Sequence, residues 1–292
     1  MPNPLIPELT GNRISVDAAM SEPSRIAHRI AKLVDKQLLL PRFLRPYGAK
    51  VLGGGMIYAS LTAAEFFTAG PIEQRAPGTE YRMVDPLDPE PKLAAVEDWG
   101  ASAEILDEAI LRNDTSRLDL VVTQLTNDLL RLLDTRMVNK LEEANPDSVV
   151  AAVSWQNLVT VGPLDQITPS GDRPPAHFAQ AQELADLDEM SVQLDTLVVG
   201  PAQARQLRTA YAEDLDAMLK SAGLTMFSNP RIPDGTAYLA EGGQVGTIGF
   251  EVPLTVEVIP VPLERKKIVR AYVVPAMAIE RPFACKKLTG LS

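Results

Sequence analysis

The run from Ser116 to Ala144 constrains this chain more than any other stretch. Leu118, Val121, Val122, Leu125, Leu129, Leu132, Leu133, Met137 and Leu141 recur at spacings of one, three and four. Such spacing puts them on one face of an α-helix. Ser116 and Asp119 form a capping-box-like start, Asp114 and Thr115 are the other candidate caps, and Asn145-Pro146 ends the pattern. At 1.5 Å per residue the rod is about 40 Å long, beyond the roughly three turns of an ordinary globular helix. A rod with a single apolar stripe needs a body laid along it.

A second feature tests for nucleotide chemistry. Gly242, Gly243, Gly246 and Gly249 fall within eight positions. A dinucleotide site needs a strand before such glycines and a helix after them, whose N-terminus takes the pyrophosphate. Here Ile248, Phe250, Val252, Leu254, Val256 and Val258 alternate with Thr247, Gly249, Glu251, Pro253, Thr255 and Glu257. That period of two predicts a strand with one buried face. The glycines are therefore a turn at the tip or edge of a sheet, and Pro253 predicts an edge position or a kink. The triple glycine 53–55 lacks the Lys-Ser/Thr of a phosphate-binding loop.

Other chemistry is thinly supplied. Two histidines, His28 and His177, cannot make a His-rich metal site, and both read as structural or surface residues. Cys285 is the single cysteine, so no disulfide framework exists, and it reads as a buried inert thiol. The dense carboxylate groups, Asp186/Asp188/Glu189 and Glu142/Glu143, fall on expected helices as solvated faces. No catalytic, cofactor-binding or metal site is expected. No apolar run reaches membrane-spanning length and no signal peptide is read at "MPNPLIPEL".

Charge is distributed unevenly. The net charge of −10 divides into +4 over residues 1–50, −19 over 51–263 and +5 over 264–292. A basic arm and a basic C-terminal segment thus flank an acidic body. The expectation is that the ends meet acidic surfaces, either nucleic acid or a neighbouring acidic copy of the chain. An overall acidic protein lacks the footprint of a dedicated DNA reader.

Residues 1–22 are expected to be extended, with prolines at 2, 4 and 7. A basic amphipathic helix follows at 23–38, with Ile26, Ile30, Leu33 and Leu38 on one face and Arg25, Arg29, Lys32 and Lys36 elsewhere. "GAKVLGGGMIYAS" reads as one strand and "GTEYRMVDP" as its returning partner, around the excursion "LTAAEFFTAGPIEQRAP". A two-stranded ribbon is not stable alone in water, so it must pack on something, and another subunit is the obvious candidate. Further on, "DSVVAAVSW" reads as a helix or strand, and a helix is expected at about 176–189. Then "LVVG" leads into a helix from Pro201 to a cap at Gly223, with Leu207, Tyr211, Leu215, Met218 and Leu219 buried. "KKIVRAYVVPAMAIERPFACKKL" supplies one or two closing strands, with Ile268, Val269, Val273 and Val274 buried on both faces.

This order of parts resembles the major capsid protein of tailed double-stranded DNA bacteriophages, the Hong Kong-type shell fold. "LVVGPAQARQLR" and "EGGQVGTIGFEVPLTVEVIP" carry most of the local likeness. The resemblance implies an α+β chain in five regions: an N-terminal arm (1–47), a protruding two-stranded loop (48–90), a peripheral domain with a spine helix (91–147), an axial domain (148–260) and a return to the peripheral domain (261–292). It implies a structural role: hexamers and pentamers closing into an icosahedral shell around double-stranded DNA, touched non-specifically. Phe66, Phe67, Glu73, Gln74 and Arg75 would lie near the loop tip as subunit contacts, and Arg25, Arg29, Lys32 and Lys36 would be the arm's basic contacts. The implied partners are other copies, a separate scaffolding protein, a portal and decoration proteins, with no membrane and no cofactor. Assembly would take place in the bacterial host cytoplasm, ending in the virion capsid. Some relatives crosslink through a loop lysine; no lysine stands between Lys50 and Lys92 here, so no crosslink is expected. Two alternatives stay open: an encapsulin-like bacterial nanocompartment shell, and a soluble α/β enzyme.

Overall fold

The computed structural model describes residues 38–292, apart from 63, 64, 66, 69, 71, 86, 113 and 164. The basic helix expected at 23–38, with Arg25, Arg29, Lys32 and Lys36, lies outside the described residues but for its last position, and so does Phe66.

In chain order the elements are α1 (Leu40–Phe43), β1 (Leu44–Lys50), β2 (Gly55–Ala59), β3 (Pro91–Ala95), β4 (Trp99–Leu106), α2 (Asp107–Leu111) and α3 (Thr115–Glu143). Then come β5 (Ser148–Val150), α4 (Pro174–Leu187), β6 (Thr196–Val199), α5 (Pro201–Tyr211), α6 (Leu215–Ser221), β7 (Thr225–Ser228) and β8 (Ala237–Ala240). The chain closes with β9 (Gly246–Val261), β10 (Lys266–Ile279) and β11 (Cys285–Thr289). One sheet runs β1-β9-β10-β4, a second runs β5-β11-β8-β6-β7, and β2-β3 forms a separate ribbon.

The spine is present. Asp114, one of the candidate caps, accepts from the Arg117 N–H at 3.3 Å. Val121, Val122, Leu125, Leu129, Leu133, Met137 and Leu141 are buried, and Leu132 is half-buried. Asn145, at φ 48°, turns the chain out of the helix. Two polar residues of the stripe are buried too, Thr126, whose hydroxyl donates to the Val122 carbonyl at 2.7 Å, and Asp134. Asp134 accepts from the Leu39 N–H (2.9 Å) and the Asn229 amide (2.7 Å), tying α1 and the end of β7 to the spine. Burial pushes its carboxyl above the usual range, against the pull of those two bonds. Asp134→Ala strips both donors of their acceptor, and we expect a loss of about 2–3 kcal/mol in urea unfolding.

Three expected elements differ. "GAKVLGGGMIYAS" is two strands, because Gly53 and Gly54 turn the chain between β1 and β2. The partner of β2 is β3, with Met56 opposite Ala94, and not "GTEYRMVDP". Met56 and Ala94 share a buried cluster with Val51, Ala276 and Ala278. Tyr81 and Met83 of the expected partner are 75% and 96% exposed, so no buried face rewards pairing there. The helix expected from Pro201 to Gly223 breaks at Ala212, which sits at φ 42°. A straight helix at 3.6 residues per turn carries Leu219 roughly 120° round from Leu207; after the break both are buried.

The glycine turn leads into β9 as expected, and no helix follows. Gly243 adopts φ 69°, which side chains rarely tolerate. The turn is strapped to α1, the Gly243 N–H donating to the Arg42 carbonyl and the Val245 N–H to that of Phe43. Burial along β9 is not one-faced. Gly246, Thr247, Ile248 and Gly249 are buried on both faces, and the distal half is mostly half-buried. β1 covers β9 only as far as the Lys50–Phe250 pair, so Pro253 lies on the uncovered side. There, residues 253 and 254 together face Val273, a β-bulge.

In the second sheet, α4 brings His177 against Trp155, whose indole Nε1–H donates to His177 Nδ1 at 3.2 Å. His177 is buried and structural, and burial holds its pKa below the ordinary value. "DSVVAAVSW" resolves into β5 and a 3₁₀ turn at 155–157. Of the closing residues, Val269, Val273 and Val274 are buried and Ile268 is half-buried.

Candidate functional site

Among the described residues, surface and not a pocket of reactive groups is what the chain offers. The β2-β3 ribbon is anchored by one face through Met56 and Ala94. Its other face carries Ile57 and Leu93, directly opposite each other and 76% and 67% exposed. The long loop beyond the ribbon exposes Phe67, Ile72, Tyr81 and Met83. Six large apolar groups exposed along one ribbon and its loop make this stretch the candidate contact surface.

Of the loop residues singled out from the sequence, Phe67, Glu73, Gln74 and Arg75 are all exposed. Two of them brace the loop itself. Glu73 pairs with Arg82 at 2.6 Å, and Arg75 donates to the Thr79 carbonyl at 3.0 Å while lying over the Tyr81 ring. Nearer the ribbon, Glu65 accepts from the Thr62 N–H and hydroxyl. Sequence reasoning passed over Ile72, Tyr81 and Met83, the last two because they were assigned to a strand. Lys92 lies within β3, opposite Tyr58.

Four of the seven cations in 264–292 do not reach outward as expected, while Arg265 and Arg270 are exposed. Lys286 is fully buried between Asp147 and Asp188, both at 2.6 Å, and Lys287 reaches Glu142 at 2.6 Å. Lys266 pairs with Glu104 and Glu264, and Arg281 with Glu241. Much of the positive charge of this segment thus meets acids of its own body.

The same pairings account for the carboxylate groups. Glu142 also accepts from the Tyr238 hydroxyl. Burial opposes its ionisation, but Lys287 and Tyr238 outweigh that and hold its carboxyl low. Glu143 pairs with Lys140, Asp188 with Lys286, and Asp186 accepts from Gln182. On the spine's other flank Glu97 takes Arg136 and the Trp99 indole N–H; these outweigh burial and hold its carboxyl low. Burial pushes the Cys285 thiol far up, so it is no nucleophile at neutral pH. Among the described residues no group of three or more His, Cys, Asp or Glu is placed to hold a metal ion, and no helix is long and apolar enough to cross a membrane.

A family model and solved structures agree on one answer. A comparison with curated proteins found no match. Among solved structures, the chain is similar to a virus-like particle from Pyrococcus furiosus, at TM-score 0.63 and 12% identity, covering 91% of this chain and 98% of that one. It is similar to the capsid of Myoviridae Phage XM1, at 0.55 and 12%, covering 97% and 95%. It is also similar to a chain from Gordonia phage Cozz, at 0.61 and 12%, covering 87% and 86%. At these identities the likeness is one of fold, α+β of the Hong Kong type. A family model described as phage capsid protein matches residues 89–288, which is more than half of the sequence, and the chain therefore belongs to the phage capsid protein family.

Proposed function

We propose that many copies of this chain form hexamers and pentamers that close into an icosahedral shell around a double-stranded DNA genome, and that the chain carries no enzymatic activity. In this reading the sheet β1-β9-β10-β4 with the spine is the peripheral domain and the five-stranded sheet is the axial domain, which takes β9 out of the expected axial range 148–260 and β11 out of the expected return 261–292. The observation that carries the reading is the protruding ribbon and loop, whose exposed apolar groups find no cover in one copy and belong to a chain of the capsid family. Phe67, Gln74 and the Glu73–Arg82 and Arg75–Tyr81 pairs shape that loop for a neighbour. The arm cations Arg25, Arg29, Lys32 and Lys36 contact acidic surfaces of neighbours or DNA. A separate scaffolding protein, a portal and decoration proteins complete the particle, which is assembled in the host cytoplasm.

Negative-stain microscopy and size-exclusion of the protein expressed alone, and again with its scaffold, test this. Closed shells or ring-shaped capsomers are expected. A monodisperse monomer or dimer under both conditions overturns the proposal. Shells filled with protein cargo and free of nucleic acid, read from the absorbance ratio, would favour the nanocompartment instead. Boiled, reduced shells should run as one band, because no lysine lies between Lys50 and Lys92 to crosslink the loop; a ladder would refute that point.

A further inference from the structure

A cleft of about 350 Å³ lies between the spine and the segment following β7. Arg131 from α3 and Arg231 from that segment line it, together with Phe227. Arg42 of α1 lies over the Phe227 ring at 4.9 Å. None of the three guanidinium groups is in an ion pair with a described carboxylate, unlike Lys266, Arg281, Lys286 and Lys287. Asp134 at the cleft wall accepts from Leu39 and Asn229 and also feels the Arg231 charge, one negative charge against the three arginines. The cleft is therefore a concave, net-positive surface with an aromatic floor.

The complementary feature is on the loop. Asp85, Asp88 and Glu90 are exposed, stand with no cation between them, and are not in ion pairs with described residues. Leu87 among them is 45% exposed. The sequence "DPLDPEP" has proline at 86, 89 and 91. Such spacing favours an extended segment that loses little entropy on docking.

The loop's own copy offers this cleft on the wrong side. The flank of α3 with Leu133, Arg136 and Lys140 meets β3, β4 and β10, where the ribbon springs. Asn127, Arg131 and Asp134 lie on another flank, toward β7. We infer that the cleft receives the Asp85–Glu90 stretch of a second copy of this chain. The acids pair with Arg42, Arg131 and Arg231, and Leu87 lies on Phe227. The inference rests on the shell reading and gives its loop a specific electrostatic latch. Charge pairs at such a rim fix partner and register and weaken as salt rises.

The test uses full-length chains. Asp88→Cys and Arg131→Cys chains are mixed, allowed to associate and oxidised; the native Cys285 is fully buried. A disulfide-linked dimer on non-reducing gels is expected only in the mixture. In parallel, Arg131→Glu with Arg231→Glu is expected to cut the assembled fraction at least tenfold. Adding Asp85→Lys and Asp88→Lys should restore most of it. Melting curves of the separated subunits check that each variant folds. Shells without the linked dimer, or reversals that assemble like wild type, overturn the latch and leave the shell reading standing. A linked dimer with no shells sinks the shell reading and leaves the latch. If the Arg131→Cys chain links instead to an Asp35→Cys chain, the cleft belongs to the N-terminal arm and the latch is also overturned.

Discussion

Gly246→Ala is expected to destabilise the subunit by about 3 kcal/mol, the upper range for forcing extra volume into a packed site. Gly246 pairs with Ile279 on β10 and with Leu44 on β1. An added Cβ would overlap the Ala278 carbonyl oxygen and stand 3.0 Å from both Ile279 Cα and Leu44 Cδ2. The first two obstacles are backbone, so relief requires β9 and β10 to move apart, not a rotamer to change. This is a glycine kept for close approach of neighbouring chain, and that resolves why the cluster looked like a phosphate loop and is not one. Equilibrium unfolding in urea gives the number. A Gly246→Ala chain within about 0.5 kcal/mol of wild type, the usual size of an inconsequential change, would mean the strands are not paired in this register.

Trp155→Ala is expected to cost about 4 kcal/mol, as for other fully buried aromatics. The side chain is 1% exposed, meets Phe178 edge-on at a centroid distance of 6.0 Å, and gives its indole N–H to His177. Trp155→Phe keeps most of the apolar volume and loses the bond, so it should cost clearly less. The pair also carries a pH signature. Burial holds the His177 pKa below 6.5, with the Asp172 charge pulling the other way. The unfolded chain therefore takes up this proton first as pH falls. Stability from this site is complete above about 6.5 and is lost progressively below it. Unfolding curves at pH 7.5 and 5.5 should show the loss, and His177→Asn should remove this site's share. An equal drop in that variant would assign the acid sensitivity elsewhere.

Much of the frame was legible because it is written locally. The spine announces itself by a stripe that holds for seven turns, and β9 by alternation, although its burial turned out two-sided where β1 covers it. The misreadings share one cause: the deciding partner lies far off in sequence. Nothing near Tyr81 says that Met56 prefers Ala94, because the reward is the Ala276–Ala278 surface, some two hundred residues on. Ala212 carries neither glycine nor proline, so the helix break is set by the packing on either side of it. The C-terminal cations looked like an outward basic patch because Asp147, Glu142 and Asp188 lie about a hundred residues or more before them. The arginine cleft is assembled from residues 42, 131 and 231, which no window of sequence brings together.

The placement of β11 sets a schedule for folding. It lies inside the second sheet, between β5 and β8, and just after it Leu291 is fully buried, its N–H donating to the Gly235 carbonyl. A growing chain that has already exposed residues 148–240 holds both neighbours of β11 but has a gap one strand wide between them. That sheet cannot close until residues 285–291 arrive, at least 45 residues after β8, a long-range closure of the kind that slows folding. Subunit contacts that depend on the finished sheet therefore wait until residues 285–291 are in place between β5 and β8.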